Sequence, residues 1–403
     1  MKIALLDFYT HGHHLKYAGE LADYLHQKGD EVMFFTLEKD EKVDQFLKNH
    51  PFVILNVIYT QGNNRKKNQS FLARRYLDIK ETCKIFSEAE KWHADVLHFL
   101  YFDSFYTIYL LSFRKWKFKF FGSSLWLLSN IGNFEDGGVY SKVIKKINQI
   151  ILKKLLKKDS ICKIFVQNIY PEGFKKEALR QVKWLEDFKD KFLFLNDPIY
   201  DAPFGAYTKD QAVEKLNLPK DVPIFLFFGL LGGGKRLDVL FDSLFKIKDK
   251  ICLVIAGAPD VFTQKDVDEF KNRINGKHII IDRIGFVPEN DVPYYFVGAD
   301  CVVLPYSAGY KLGSSGVLMQ ACSARKPVIC SDIGIFGKVV TENFLGLSVK
   351  ADSVESLAEG IETFLNQRKE LTEKVRLSAQ NYIESASWAK VAGLIYKSYL
   401  SEC

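Results

Sequence analysis

Three stretches of this chain bring glycines, hydroxyls and cations together in patterns suited to holding an oxygen-rich anion. The first is Gly229-Leu230-Leu231-Gly232-Gly233-Gly234-Lys235-Arg236. Its glycines let backbone amides approach phosphoryl oxygens and Lys235 adds a point charge, so the run reads as a diphosphate cradle. Gly229 to Lys235 has the spacing of a P-loop, but Arg236 stands where that motif needs a serine or threonine for magnesium. The second stretch, Tyr306 to Gln320, carries Gly313-Ser314-Ser315-Gly316 just before a helical pattern that starts at Val317. Helix-start amides, the helix dipole and the serine hydroxyls favour an anion there; plain N-capping by Ser315 is the alternative. Gln320, one turn further on, offers a donor and an acceptor to vicinal hydroxyls. The third stretch is Thr10-His11-Gly12-His13-His14, where Gly12 permits close approach of a ligand, His13 stands beside it and the next helix presents its free amides. His98, near the end of an apolar run, reads either as a ligand-facing partner or base or as a satisfied core histidine.

The elements that position these residues alternate strand and helix. Apolar runs predict strands at Lys2 to Asp7, Glu31 to Thr36, Phe52 to Val57, Val96 to Leu100, Lys117 to Gly122 and Ile164 to Gln167. Leu15, Ala18, Leu21, Ala22 and Leu25 share one face of a helix over Leu15 to Gln27, which makes the opening a βαβ unit. Gln61 to Arg75, polar and basic, reads as a mobile loop, and Asn196 to Gly205 as a linker rich in turn formers. A second series follows, with strands at Pro223 to Gly229, Ile251 to Gly257, His278 to Ile281, Cys301 to Pro305 and Pro327 to Ser331. Helical patterns at Leu237 to Phe245, Asp266 to Arg273, Val292 to Gly298 and Val317 to Ala324 separate them. The expected fold class is α/β, with two Rossmann-like doubly wound domains facing across a cleft. Residues 1–200 form the first domain, 201–387 the second, and 388–403 a terminal helix that returns to the first. In such sheets ligands sit beyond the carboxyl ends of the strands, where all three stretches lie.

A hydrophobic content of 47% against 26% charge suits a soluble protein with ample cores. The apolar run after Lys2 ends at Asp7, too short for a signal-peptide core, and the window Leu97 to Phe113 is broken by Asp103 and Ser104. The expected location is therefore cytoplasmic. Seven cysteines without CxxC spacing fit buried free thiols, and neither a metal site nor a nucleic-acid partner is expected.

The second half also resembles a known family. Phe227-Phe228-Gly229 with Lys235, Ile255-Ala256-Gly257, Gly285-Phe286-Val287-Pro288, Ala299 to Pro305 and Lys326-Pro327-Val328-Ile329 form an ordered series. This series is similar to the donor domain of GT-B glycosyltransferases, in particular the retaining glycosyltransferase family 4. Ser387-Trp388-Ala389-Lys390 looks like that family's closing signature. The likeness covers most of residues 223 to 395 and is weaker before them, resting there on Gly12 and Asp95-Val96-Leu97-His98.

The resemblance implies transfer of a sugar from a nucleotide-sugar donor such as a UDP- or GDP-sugar to a glycan or lipid-linked acceptor, as in polysaccharide biosynthesis. It implies retention, no metal and no cofactor beyond the donor itself. Lys235 then meets the donor diphosphate, the backbone near Phe286 and Val287 the base, and Gly12 the sugar and phosphates. Ser314, Ser315 and Gly316 lie in the loop for the distal phosphate, with Tyr306 at its start, and Gln320 stands where a glutamate usually grips the ribose. Leu230, Arg236, Lys326, Leu312 and Gly122-Ser123-Ser124 depart from the family pattern. Those departures motivate the alternative of a degenerate GT-B subunit that binds a partner or a glycan without catalysis. On the acceptor side, Lys142 to Lys158 carries Val143, Ile144, Ile147, Ile150, Ile151 and Leu155 on one face and seven lysines around it. Such a helix either makes a peripheral contact with the inner face of a membrane or covers the sheet as a solvated helix.

Overall fold

Parallel strands buried on both faces need near-continuous apolar sequence, and the strand cores of this chain have it. The computed structural model describes all residues except 11–13, 59–70, 104–113, 126, 133–138, 200–203 and 310–314, and all of their side chains except those of 71–78, 139–141 and 335. The chain forms two units, Met1–Pro198 with Trp388–Cys403, and Ile199–Ser387.

The first unit's strands are β1 (Lys2–Leu6), β2 (Glu31–Thr36), β3 (Ile54–Val57), β4 (Val96–Phe99), β5 (Lys119–Ser124), β6 (Ile161–Asn168) and β7 (Phe192–Asn196). They form a parallel sheet of order β3-β2-β1-β4-β5-β6-β7. The terminal helix Trp388–Glu402 belongs to this unit. Its Tyr399 ring is fully buried 4.8 Å from Phe121, and Trp388 lies edge-on to Tyr17 at 4.8 Å. The second unit holds β8 (Ile224–Phe228), β9 (Cys252–Gly257), β10 (Ile279–Ile284), β11 (Cys301–Leu304), β12 (Val328–Ser331) and β13 (Gly346–Val349). Its order is β10-β9-β8-β11-β12-β13, again parallel, over a core that includes Phe225, Phe227, Leu240, Ile255, Phe270 and Phe364.

In each sheet the strand order reverses once, between β1 and β4 and between β8 and β11. Two neighbouring strand ends there send their chains to opposite faces, which opens a crevice for ligand. Four features differ from the sequence expectation. The segment read as a loop from Gln61 ends inside a helix, Phe71–Lys91, while 61–70 lie outside the described residues. β7 and β13 are strands the apolar pattern alone did not single out, each short and only partly buried. The helices Gly334–Glu342, Val354–Asn366 and Arg368–Ser385 fill sequence to which no element was assigned. All seven cysteines are free, but Cys83 and Cys403 are exposed rather than buried.

Candidate functional site

The switch point of the second sheet gathers the cradle of Gly229 to Arg236 and the loop that follows β11. β8 runs into Gly229, whose φ of +94° is a left-handed conformation that favours glycine. A side chain there would be obstructed as well: a Cβ would lie 2.7 Å from the Lys235 ammonium and 3.6 Å from Val317. Next to it, Gly257 ends β9 with φ +146°, and a Cβ would sit 1.9 Å from the Gly229 carbonyl oxygen. The Gly285 amide donates to the Gly257 carbonyl at 2.9 Å, and the Gly229 amide to Ala256 at 2.9 Å. Three adjacent strands, β10, β9 and β8, thus run into a row of glycines along the carboxyl edge of the sheet, and Gly229 is the one beside the crevice. Leu230, Val261 and Phe286 stand exposed along the same strand ends.

Lys235 lies in the single turn Gly233–Lys235, and its ammonium donates to the Phe228 carbonyl at 3.0 Å. Among the described residues it has no acidic partner, and burial lowers its pKa to about 8. Arg236 behaves differently. It takes the left-handed conformation at φ +47° and turns its guanidinium to Asp238 at 2.9 Å and to Asp352. The second cation of the expected cradle is therefore spent on structure, because two carboxylates already neutralise it. Asp352 also accepts from the Ala308 amide at 2.9 Å, and the Ser307 amide donates to Gly234 at 2.9 Å. These bonds tie the loop after β8 to the loop after β11.

The helix Gly316–Ser323 begins beside this pair of loops. Ser315 is its N-cap, accepting from the Leu318 amide at 3.2 Å, and its hydroxyl is also within 2.8 Å of the buried Tyr306 hydroxyl. Both hydroxyls are engaged with each other, and Ser315 also caps the helix, so the two side chains brace the loop at this helix start. What the helix start offers outward is its backbone amides, with Gly316 exposed. Gln320 sits one turn along with its Oε1 buried and, among the described residues, without a hydrogen-bond donor. Phe286 follows Gly285 with its ring 83% exposed, and Val287 beside it is half-buried. Ser314 lies outside the described residues, as do Gly12 and His13.

In the first unit, His98 is a correction. It is fully buried on β4, its Nδ1 2.5 Å from the Tyr399 hydroxyl and its Nε2 2.8 Å from the Ser123 hydroxyl. Burial lowers its pKa to about 3, so it is a neutral core residue with both ring nitrogens engaged. Such a ring cannot reach a ligand or take its proton. At the β1 end, the buried Asp7 carboxylate meets His14 Nδ1 at 2.8 Å, and the His14 ring packs 4.3 Å from Tyr101. Sequence reasoning missed this pair, seven residues apart across the first turn, and the Arg236–Asp352 tie, which joins residues 116 apart in the chain. The glycine row was within reach of the sequence, because each of β8 and β9 runs directly into a glycine and β10 is followed by one.

Residues 208–382 match the family described as Glycosyl transferases group 1, which is nearly the whole second unit. This unit is a group 1 glycosyltransferase domain. Among curated relatives, the putative teichuronic acid biosynthesis glycosyltransferase TuaC of Bacillus subtilis is 30% identical over 195 residues. That match covers 47% of this chain and 44% of the relative, so the chain aligns with about half the relative's length. Over its full length the chain superposes on a glycosyltransferase from Rickettsia africae with TM-score 0.72 and 17% identity, covering 98% of that structure. It also superposes on Anabaena Alr3699/HepE, solved with UDP, with TM-score 0.69 and 12% identity over 100% of both chains. The group 1 domain sits within a chain of GT-B fold.

Proposed function

We propose that the protein is a glycosyltransferase that takes a sugar from a nucleotide-sugar donor and passes it to a glycan or lipid-linked acceptor, with retention and without a metal. The observation that carries this reading is the Lys235 ammonium, half-buried, without a carboxylate partner among the described residues and set against the bare backbone of Gly229. A departing nucleoside diphosphate develops charge on its distal phosphate. Lys235 and the amides at Gly316 would stabilise that charge from fixed positions, which is commonly the largest catalytic effect. Attack on the face the diphosphate leaves needs no carboxylate nucleophile from the protein. In this reading Phe286 and Val287 flank the base, and the Gln320 carbonyl accepts from a ribose hydroxyl. The Anabaena neighbour was solved with UDP and with UDP-glucose, which makes UDP the first ligand to titrate, with GDP and ADP beside it. Saturable binding of one of the three supports the proposal; no binding of any would favour a GT-B subunit that has lost its donor.

Two outcomes follow from the site. A bound diphosphate favours charged Lys235 and raises its pKa above the free value of about 8. Below about pH 7 the ammonium is already charged, so Lys235 adds no pH dependence to affinity there. It falls as pH rises through 8, by up to about tenfold per unit until the bound pKa is reached. Calorimetric titration between neutral and alkaline pH checks the sign, and affinity that rises with pH contradicts it. For Gln320→Leu, loss of one hydrogen bond should weaken UDP by about 0.5–1.5 kcal/mol. The same change should leave 2′,3′-dideoxy-UDP unaffected, and equal losses for both would remove Gln320 from the ribose.

A further inference from the structure

The helix Val139–Leu156 does not bury the apolar face its sequence draws. Leu152, Leu155 and Leu156 are the side chains it packs into the first unit. Asn148 and Gln149 hold the same side down, donating to the Asn130 carbonyl at 3.2 Å and the Ile131 carbonyl at 2.6 Å. Val143, Ile147 and Ile150 instead point outward, 51%, 49% and 51% exposed, at the i, i+4, i+7 spacing of a single stripe. Half-exposed β-branched side chains in a row are unusual on a solvated helix face, where scattered single apolar residues are the rule. Exposed Lys142 and Lys146 flank the stripe on one side, exposed Lys154 continues it one turn beyond Ile150, exposed Lys157 follows the helix end, and between Lys142 and Lys158 seven lysines occur with no acidic residue. Among the described residues no helix is long and apolar enough to cross a membrane.

We propose that this stripe is a docking surface for an anionic lipid bilayer, the helix lying in the interface with Val143, Ile147 and Ile150 inserted and the lysines among the headgroups. Charge decides the occupant. A stripe meant to bury against a second copy of itself would bring two lysine borders together and repel, whereas a negatively charged surface satisfies both the apolar row and its rim. Snorkelling lysines keep their ammonium groups at headgroup level while their stems cover the edge of the inserted row. The surface stands independently of the nucleotide site and does not require a donor to be bound.

The test is co-sedimentation of the full chain with vesicles of phosphatidylcholine and phosphatidylglycerol in equal parts, against vesicles of phosphatidylcholine alone. The mixed vesicles should capture the protein, high salt should release much of it by screening, and the neutral vesicles should leave it in solution. The variant Val143→Ser, Ile147→Ser, Ile150→Ser and a second, Lys142→Gln, Lys146→Gln, Lys154→Gln, should each lower the vesicle affinity at least tenfold. All six side chains are exposed, and an unchanged thermal transition and UDP affinity would confirm that the variants fold. Capture that neither variant weakens, absence of capture by the mixed vesicles, or a dimer that the serine variant turns into a monomer would each overturn the proposal.

Discussion

Lys235→Ala should raise the dissociation constant for the nucleoside diphosphate by roughly 10- to 150-fold, a loss of about 1.5–3 kcal/mol for one charge-assisted hydrogen bond. The size follows from the setting of the ammonium. It is already partly dehydrated, its pKa is down to about 8, and among the described residues its hydrogen-bond partner is the Phe228 carbonyl. Little is spent to desolvate it further when phosphate arrives, so most of the interaction appears as affinity. Arg236→Ala is the control within the same loop. Its guanidinium is held by Asp238 and Asp352, so its loss should lower stability more than it lowers affinity. Calorimetric titration of both variants with UDP, GDP and ADP measures the contrast. Equal losses of affinity for the two would show that the loop's shape matters and the ammonium does not.

The second large effect is expected in the other unit. His98→Ala should destabilise the first unit by about 3–5 kcal/mol, because it opens a cavity, strands the Tyr399 hydroxyl in the core and leaves the Ser123 hydroxyl with its longer contact to Tyr17 at 3.4 Å. The bond to Tyr399 also secures the terminal helix, so the variant should expose that helix to proteolysis. UDP affinity, measured below the unfolding transition, should stay within about twofold of the wild type, since a buried ring with both nitrogens engaged touches no ligand. The same histidine sets an acid limit. Its folded pKa of about 3 lies below the ordinary value of 6.5, so the folded state resists a proton that the unfolded chain accepts. Its contribution is complete above pH 6.5 and declines as pH falls toward 3, by up to about 1.4 kcal/mol per unit. Thermal unfolding of wild type and His98→Gln across that range checks the sign. A wild-type stability that is flat between pH 6.5 and 4 contradicts it.

How much of this was legible before the fold was known depended on whether the signal was local. Strands β2, β8 and β9 announce themselves as apolar runs bounded by turn formers, and the structure places them within a residue or so of their expected limits. β13 is four residues long and opens on Gly346, which leaves no run to find. The Ser315 cap is a local sequence signature, and the structure has it. His98 shows the opposite case. One histidine in an apolar strand looks the same whether it faces solvent or core, and only the arrival of Tyr399, 301 residues later, decides it. Arg236 is equally ambiguous in sequence, since the carboxylate that competes for it, Asp352, is 116 residues away. On the amphipathic helix, composition located both the apolar and the basic residues. Which apolar residues were already occupied by the core depended on the packing of Leu152, Leu155 and Leu156.

The most direct measurement is of Lys235 itself. With the lysine side chains isotopically labelled and Lys235 assigned through its alanine variant, its titration can be followed by NMR in the free protein and again with saturating UDP. The account predicts a free pKa near 8 that moves upward by a unit or more once the diphosphate is bound. A Lys235 resonance that titrates identically with and without a saturating nucleoside diphosphate would contradict it.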